Sequence, residues 1–264
     1  AVNSGGSPAG GGSTQYFVGD FDGQKFMPDD NKTRWLDEGA DEYAGITWNN
    51  TGNRTIFIGW INNWPPANKQ IPSYIWRGGM TLPVELSLKK LNDSTEFLVK
   101  EPVNELNKLK RPVLTLKDVK LSHGKWTKTF SGSELSSSEI RLTAKMGNAS
   151  KAILSLKNDL GQQVDIIYDK KDHQLIVDRT YADRNGFHAT SSLKHAVTIP
   201  VNFSILHMDL FYDRSTLEVF FDNGRWLTTD LVFPSKLYNK IDYDMNGTSG
   251  KIEQIKVSTI RSVW

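Results

Sequence analysis

Short segments in which apolar residues alternate with polar ones limit what this chain can fold into. Residues 139–144 and 163–168 place an apolar side chain at every second position, which is the period of a half-buried β-strand. Residues 216–221 and 225–228 flank Asn223-Gly224, a dipeptide typical of a tight hairpin turn. Such segments recur about every 8–12 residues, without a helical period. The sequence therefore predicts an all-β protein.

Two kinds of strand predict two domains. In the first part, residues 54–60 are mostly apolar, and short strands joined by tight turns indicate an antiparallel sheet or a propeller blade. Later strands alternate, with one face toward water, as in a β-sandwich. Pro102 and Pro112 bracket a polar stretch between the two parts. We predict a first domain at residues 1–103, a linker at residues 104–111 and a carboxy-terminal sandwich at residues 112–264.

The composition excludes several classes of function. The 264 residues include no Cys, which excludes disulfides, thiolate metal ligands and a cysteine nucleophile. The formal net charge is +2 and basic residues are scattered among acidic ones, so no nucleic acid and no membrane surface is predicted as a partner. No apolar run approaches the roughly 18 residues of a membrane span. The five His residues lack metal-ligand spacing, so no metal and no cofactor is expected.

Three Trp residues lie within the seventeen residues from Trp60 to Trp76, together with Asn, Arg and Gly. Indoles beside amides and a guanidinium suit a concave polar pocket with a flat apolar floor. A sugar ring binds such a surface through its C–H face. The same composition also fits an aromatic-rich core strand followed by a loop. Composition alone leaves both interpretations open.

Six stretches of the sequence, taken in order, resemble one family of carbohydrate-active enzymes. They are residues 15–23, Asp37-x-Gly39-x-Asp41-x-Tyr43-Ala44, Gly59-Trp60-x-x-Asn63-Trp64, Trp76-Arg77-x-x-Met80-Thr81-Leu82-Pro83, Val177-Asp178-Arg179, and Asp213-Arg214-Ser215-x-Leu217-Glu218-Val219-Phe220 followed by Asn223-Gly224. On these motifs the chain resembles the carboxy-terminal half of glycoside hydrolase family 32, the invertases, inulinases and levanases that hydrolyse β-fructosides. The resemblance implies a five-bladed β-propeller with the active site, followed by a β-sandwich. Residues 1–103 would then hold the end of the fourth blade and the fifth blade, an incomplete propeller.

The resemblance implies retaining hydrolysis by two carboxylates, a nucleophile and a general acid/base, about 5–5.5 Å apart. The family carries them in Trp-Met-Asn-Asp-Pro-Asn-Gly and Glu-Cys-Pro motifs, with a further Asp in Arg-Asp-Pro. This sequence has no Asp-Pro dipeptide and no Cys, so none of its residues is expected to be catalytic. We expect the chain to begin just after the glutamate motif and to be inactive by itself. It would then be a fragment of a longer protein, a chain that a separate amino-terminal propeller segment completes as its partner, or a shortened homologue with another role. The alternative is a non-catalytic carbohydrate-binding or structural β-sandwich module.

The resemblance assigns substrate binding to four residues. Trp64 matches the family tryptophan that lines the fructose subsite, with core packing as the alternative. Asn63 is expected to orient a sugar hydroxyl. Asp37 and Asp41 start the inner strand of a blade near the substrate funnel, where they would bind hydroxyls or, alternatively, stabilise the loop through a turn or a salt bridge. The expected ligand is a fructose-containing oligo- or polysaccharide.

Other residues in the motifs favour structural roles. Trp60 is predicted to pack in the core, and Arg77 to pair with a carboxylate of its blade. Asp213, Arg214 and Glu218 fall in a predicted sandwich hairpin and are interpreted as a turn with an ion pair. The resemblance further implies a secreted or periplasmic protein, and it allows a homodimer.

Overall fold

The computed structural model is built almost entirely of antiparallel β-strands, which confirms the predicted all-β class. It describes residues 1, 7–64, 67, 71–73, 76–90, 96–183, 193–246 and 250–263. Within these ranges, no helix has both the length and the apolar character needed to cross a membrane.

The first strands form two small antiparallel ladders. They are β1 (Gln15–Tyr16) with β4 (Arg34–Trp35), and β2 (Gly19–Phe21) with β3 (Phe26–Pro28). The Asp22 carboxylate accepts hydrogen bonds from the backbone amides of Gln24 and Lys25 at 2.8 and 2.7 Å. These bonds close the turn at Asp22-Gly23 between β2 and β3.

A five-stranded antiparallel sheet follows. In spatial order it contains β5 (Glu42–Thr47), β6 (Thr55–Ile61), β8 (Val84–Lys90) and β9 (Glu96–Pro102), with β7 (Gly79–Met80) beside β6. The sequence predicts a single strand over residues 80–88, but the structure divides it into β7 and β8. Pro83 lies at the break and has no amide hydrogen for a sheet ladder. The Thr81 amide there donates to the Gly59 carbonyl at 2.9 Å.

A short 3₁₀ helix, Asn104–Lys108, connects this sheet to the rest of the chain. Leu106 is buried on its inner side. The next strand, β10 (Lys110–Lys120), begins almost at once. The polar stretch predicted as a linker thus contains both this helix and the first residues of a strand.

Two six-stranded sheets make up the rest of the fold. The first contains, in spatial order, β10, β21 (Lys251–Ile260), β12 (Ser137–Lys145), β17 (Ile205–Asp213), β18 (Thr216–Phe221) and β19 (Trp226–Leu231). The second contains, in spatial order, β11 (Lys125–Thr129), β20 (Lys240–Asp244), β13 (Lys151–Lys157), β14 (Gln163–Asp169), β15 (Gln174–Asp178) and β16 (Lys194–Thr198). Their alternating apolar side chains, such as Leu142, Tyr168 and Phe221, are buried in one continuous core. This arrangement is the predicted β-sandwich.

A second apolar core joins the five-stranded sheet to the sandwich. Leu36 and Phe57 from the first part pack with Phe211, Phe220 and Leu227 from the sandwich, and all five are buried. Burial of each side chain of this size stabilises the fold by about 2 kcal/mol. The sandwich therefore supports the sheet that carries the aromatic stretch.

Candidate functional site

Trp64 is an exposed aromatic residue just beyond the end of β6. It is 50% exposed, and its ring packs edge-on against the half-buried Trp60, with centroids 5.4 Å apart and planes at 62°. The Trp60 indole nitrogen donates to the Arg77 carbonyl at 3.2 Å. Trp60 is held by this bond and supports the Trp64 ring, which leaves part of an indole surface open to solvent.

Two Asn side chains hold the chain where β6 ends. Asn62 accepts a hydrogen bond from the Asn63 backbone amide at 2.7 Å. The buried Asn63 side chain donates to the Ala40 carbonyl at 2.5 Å and accepts from the Gly12 amide at 3.0 Å. Asn63 therefore connects the aromatic stretch to the loop that precedes β5.

Asp37 anchors that loop to the sandwich. Its buried carboxylate accepts from the Thr229 backbone amide at 3.0 Å, from the Thr229 hydroxyl at 2.6 Å and from the Gly39 amide at 2.7 Å. The loop backbone at Gly39 lies very close to the backbone of Thr229, since a Cβ on Gly39 would lie 2.3 Å from the Thr229 backbone nitrogen. Only glycine allows the two backbones to come this near.

Asp41 makes a second anchor, through a buried group of charges. Its carboxylate accepts from the Arg179 guanidinium at 2.8 Å and from the Leu231 amide at 2.9 Å. Arg179 also lies 3.6 Å from the carboxylate of Asp230, which is 2.8 Å from Nε2 of His195. All four ionisable side chains are buried. The group ties the loop before β5 to the sandwich at β15, β16 and β19.

Burial controls the protonation of this region. It raises the pKa of the Asp37 carboxyl to about 7, although the hydrogen bonds to that group oppose the shift. Burial, followed by the charge of Asp37, raises the pKa of Glu42 to about 8. For Asp230, burial would also raise the pKa, but the charges of His195 and Arg179 outweigh it and hold the value at about 2. Asp230 therefore stays charged, whereas Glu42 holds its proton at neutral pH.

The arrangement offers an exposed aromatic surface on a hydrogen-bonded frame. Asn63, Asp37 and Asp41 all bind protein groups in the structure, and direct contact between them and a sugar stays a prediction. In the part of the chain that the structure describes, no group of three or more His, Cys, Asp or Glu residues is placed to hold a metal.

Three structural roles differ from the prediction. Trp60 is half-buried and packs against exposed Trp64, not in a core as predicted. Among the described residues, Arg77 has no carboxylate partner; its guanidinium instead donates to the Ser73 carbonyl at 2.7 Å. The two oxygens of Glu218 both accept from the Leu82 backbone amide, at 3.0 and 3.2 Å, in place of the predicted ion pair. Asp213 and Arg214 do form the predicted turn, between β17 and β18.

Sequence reasoning assigned no role to Arg179, Asp230 or His195. Arg179 comes directly after the buried strand β15, and a cation at such a place signals a buried partner. The sequence contains no comparable signal for Asp230 and His195. They are separated by 35 residues and meet only in the folded sandwich.

Comparison with protein-family models matches nearly the whole chain. Residues 2–102 match the model described as the glycosyl hydrolases family 32 N-terminal domain. Residues 105–259 match the model described as glycosyl hydrolases family 32 C terminal.

Individual proteins of known name also match this chain over nearly its whole length. The chain is 30% identical to a levanase of Bacillus subtilis over 98% of its own length and 39% of the levanase. It is 32% identical to an extracellular exo-inulinase of Aspergillus awamori over 100% of its length and 51% of that protein. The crystal structure of this exo-inulinase superimposes with a TM-score of 0.86 at 29% identity, over 99% of this chain and 53% of that one.

A third relative is the β-fructofuranosidase of Schwanniomyces occidentalis in complex with fructosyl-erythritol. Its structure matches with a TM-score of 0.83 at 25% identity, over 99% of this chain and 55% of that one. The chain thus spans about half the length of the relatives that it matches, or less.

Proposed function

Since the chain belongs to glycosyl hydrolase family 32, we propose that it forms part of a β-fructosidase that hydrolyses β-fructosidic bonds in fructans or sucrose with retention. The observation that carries this proposal is the exposed indole of Trp64, supported by Trp60 at a ring distance of 5.4 Å. This surface is one wall of the fructose pocket. The nucleophile and the acid/base of a retaining mechanism lie on propeller blades outside these 264 residues.

The wall acts by binding and orienting the sugar. A fructofuranosyl ring packs its C–H face on the Trp64 indole, a contact worth roughly 1 kcal/mol beyond burial. Asn63 holds this wall on the Ala40 carbonyl, and Asp37 and Asp41 hold the Ala40 loop on the sandwich. We assign these three residues to positioning the wall, so that the sugar is presented to the carboxylates at a constant distance.

The partners follow from the same assignment. The ligand is a fructose-containing oligo- or polysaccharide, and an amino-terminal propeller segment completes the pocket. The relatives named levanase and exo-inulinase support the first point, and the 39–51% of their length that this chain covers supports the second. Secretion is supported by the exo-inulinase, which is named as extracellular. Association as a homodimer belongs to the same proposal.

Fructose binding by the purified chain tests the role of Trp64. We expect Trp64→Ala to weaken the binding, measured by calorimetry or ligand-observed NMR, by about fivefold. The matched control is Trp48→Ala, since Trp48 is 49% exposed but lies apart from the wall, at the end of β5. Unchanged binding by Trp64→Ala would overturn the role of this wall.

Fructose release tests the need for a second segment. The 264-residue chain is expected to release no fructose from inulin, levan or sucrose. Sustained turnover that survives repeated purification would show that the catalytic carboxylates lie within this chain.

A further inference from the structure

Another exposed indole, that of Trp76, lies on the rim of a cavity between the five-stranded sheet and the sandwich. The cavity has a volume of about 370 Å³, within the range of roughly 300–1,000 Å³ that is usual for ligand sites. Buried Ile61 and Phe211 line its depth, and Asp213 and Arg214 are exposed at its rim. We call this cavity the seam pocket.

Trp76 is held as a platform at this rim. It is 44% exposed, and one side of its ring stacks on Phe233, with centroids 6.5 Å apart and planes at 28°. Its carbonyl accepts hydrogen bonds from the Ser73 hydroxyl and from the Arg77 guanidinium, the latter at 3.4 Å. Because Phe233 supports the ring and these bonds hold its backbone, Trp76 offers an ordered aromatic surface to a ligand.

The seam pocket and the Trp64 wall share one strip of backbone. Gly78 and Met80 line the pocket, while Trp60 pairs with Met80 in the sheet. A Cβ on Gly78 would lie 2.2 Å from the Trp60 indole nitrogen, so the strip lies directly against Trp60. Trp60 in turn supports Trp64. The indoles of Trp64 and Trp76 are therefore connected through Trp60 and this strip of backbone.

We propose that the seam pocket is a second fructan-binding site, which holds a fructosyl unit of the polysaccharide outside the fructose pocket; this rests on the proposed function. The ring of that unit packs its C–H face on Trp76. Its hydroxyls bind the Asp213 carboxylate, the Arg214 guanidinium and the Ser215 hydroxyl at the rim. A rim with charges of both signs suits a neutral polyol better than an anion or a cation.

Affinity electrophoresis of the 264-residue chain in gels with inulin or levan tests this site, with dextran as the non-fructan control. We expect both fructans to retard the chain. Trp76→Ala and Asp213→Ala should each weaken fructan binding by about three- to tenfold, while Trp76→Phe keeps most of it. Tyr181→Ala is the matched control, because Tyr181 is an exposed aromatic residue of the sandwich outside the pocket lining. Thermal melts establish that each variant is folded.

The outcomes separate this site from the Trp64 wall. Wild-type fructan affinity in both Trp76→Ala and Asp213→Ala would overturn the seam pocket, even if Trp64→Ala weakens fructose binding. Weaker fructan binding by Trp76→Ala supports the seam pocket, even if Trp64→Ala leaves fructose binding unchanged and the role of that wall fails. Equal retardation by dextran would overturn the assignment to fructans.

Discussion

Glu42 is a buried carboxyl with few hydrogen-bond partners. One oxygen accepts from the Thr14 hydroxyl at 3.4 Å, and the other has no partner among the described residues. The residue opens β5 directly against Gly59, where a Cβ would come within 2.5 Å of a Glu42 oxygen. A carboxyl enclosed in this way is favoured in its protonated form. Glu42 therefore makes the stability of the site loop depend on pH.

A Glu42→Gln variant should show this dependence. The pKa of Glu42 rises from 4.5 to about 8 on folding, so the folded state binds the proton more tightly. The free energy of unfolding should then fall as the pH rises from about 4.5 to about 8. Glu42→Gln removes this titration and should stabilise the protein by about 3 kcal/mol at pH 7, with little effect at pH 4. Urea denaturation at both pH values measures the difference.

Exposed Gln24 provides the control for this variant, because neither glutamine nor asparagine titrates. Gln24→Asn should leave the pH dependence of unfolding unchanged. An equal stability difference between Glu42→Gln and wild type at pH 4 and pH 7 would contradict the assigned protonation.

At the scale of elements, the loop before β5 is held by strands that lie far away in sequence. Asp37 bonds Thr229 across 192 residues, and Asp41 bonds Arg179 across 138. Arg179 also donates to the Leu231 carbonyl at 2.8 Å, so one side chain joins the loop to both β15 and β19. The sandwich thus holds the loop to which Asn63 connects the proposed Trp64 wall.

Removal of the Arg179 cation should lower the free energy of unfolding substantially. Arg179→Met leaves buried carboxylates without their partner, which typically costs about 3–5 kcal/mol in the free energy of unfolding. Lys236→Met is the control, since Lys236 pairs with Asp159 and the two side chains are 51% and 53% exposed. Its loss should lower the free energy of unfolding far less. Equal destabilisation of the two variants in urea would show that burial of the Arg179 group is not what stabilises the loop.

At the scale of the whole molecule, the five-stranded sheet ends in an exposed apolar edge. β5 lies at one end of the sheet, with Ile46 67% exposed, and Trp48 follows directly after it. Phe21 and Phe26, on the β2–β3 hairpin, are also exposed. An open edge strand with large apolar side chains favours association with another chain. These surfaces are consistent with the proposal that further propeller blades cover them.

Charge on this edge should reduce association. The isolated chain is expected to form oligomers that grow with concentration, as measured by light scattering after size exclusion. A variant with both Ile46→Lys and Trp48→Lys should shift the population toward monomer. Leu160→Lys is the control, because Leu160 is an exposed apolar residue that lies in the turn between β13 and β14 and not on a strand edge. A monomeric wild-type chain at all concentrations would contradict the role of this edge.

Alternation in the sequence predicted some strands of the sandwich and missed others. Residues 139–144, 163–168 and 216–221 lie within β12, β14 and β18, whose alternation reflects a buried face. In the sandwich, the sequence did not predict β10, β11 and β16 at sheet edges, nor the interior strands β15 and β20, whereas it did predict the edge strand β19 from the hairpin. Charged residues such as Lys110, Lys125 and Lys194 discourage pairing at these edges and at the same time weaken the strand signal.

The sequence by itself determined the β class, the Asn223-Gly224 turn, the motifs of the family and the aromatic stretch around Trp64. These features depend on neighbouring residues, because strand alternation and turn conformation are local properties. Only the tertiary structure decided that Asp37 and Asp41 bind the sandwich and that Glu218 binds the Leu82 amide, 136 residues away. A carboxylate has the same appearance in a sequence whether it meets a sugar, a cation or a backbone amide. Its partner is set by the packing of the two parts of the chain, which brings distant residues together.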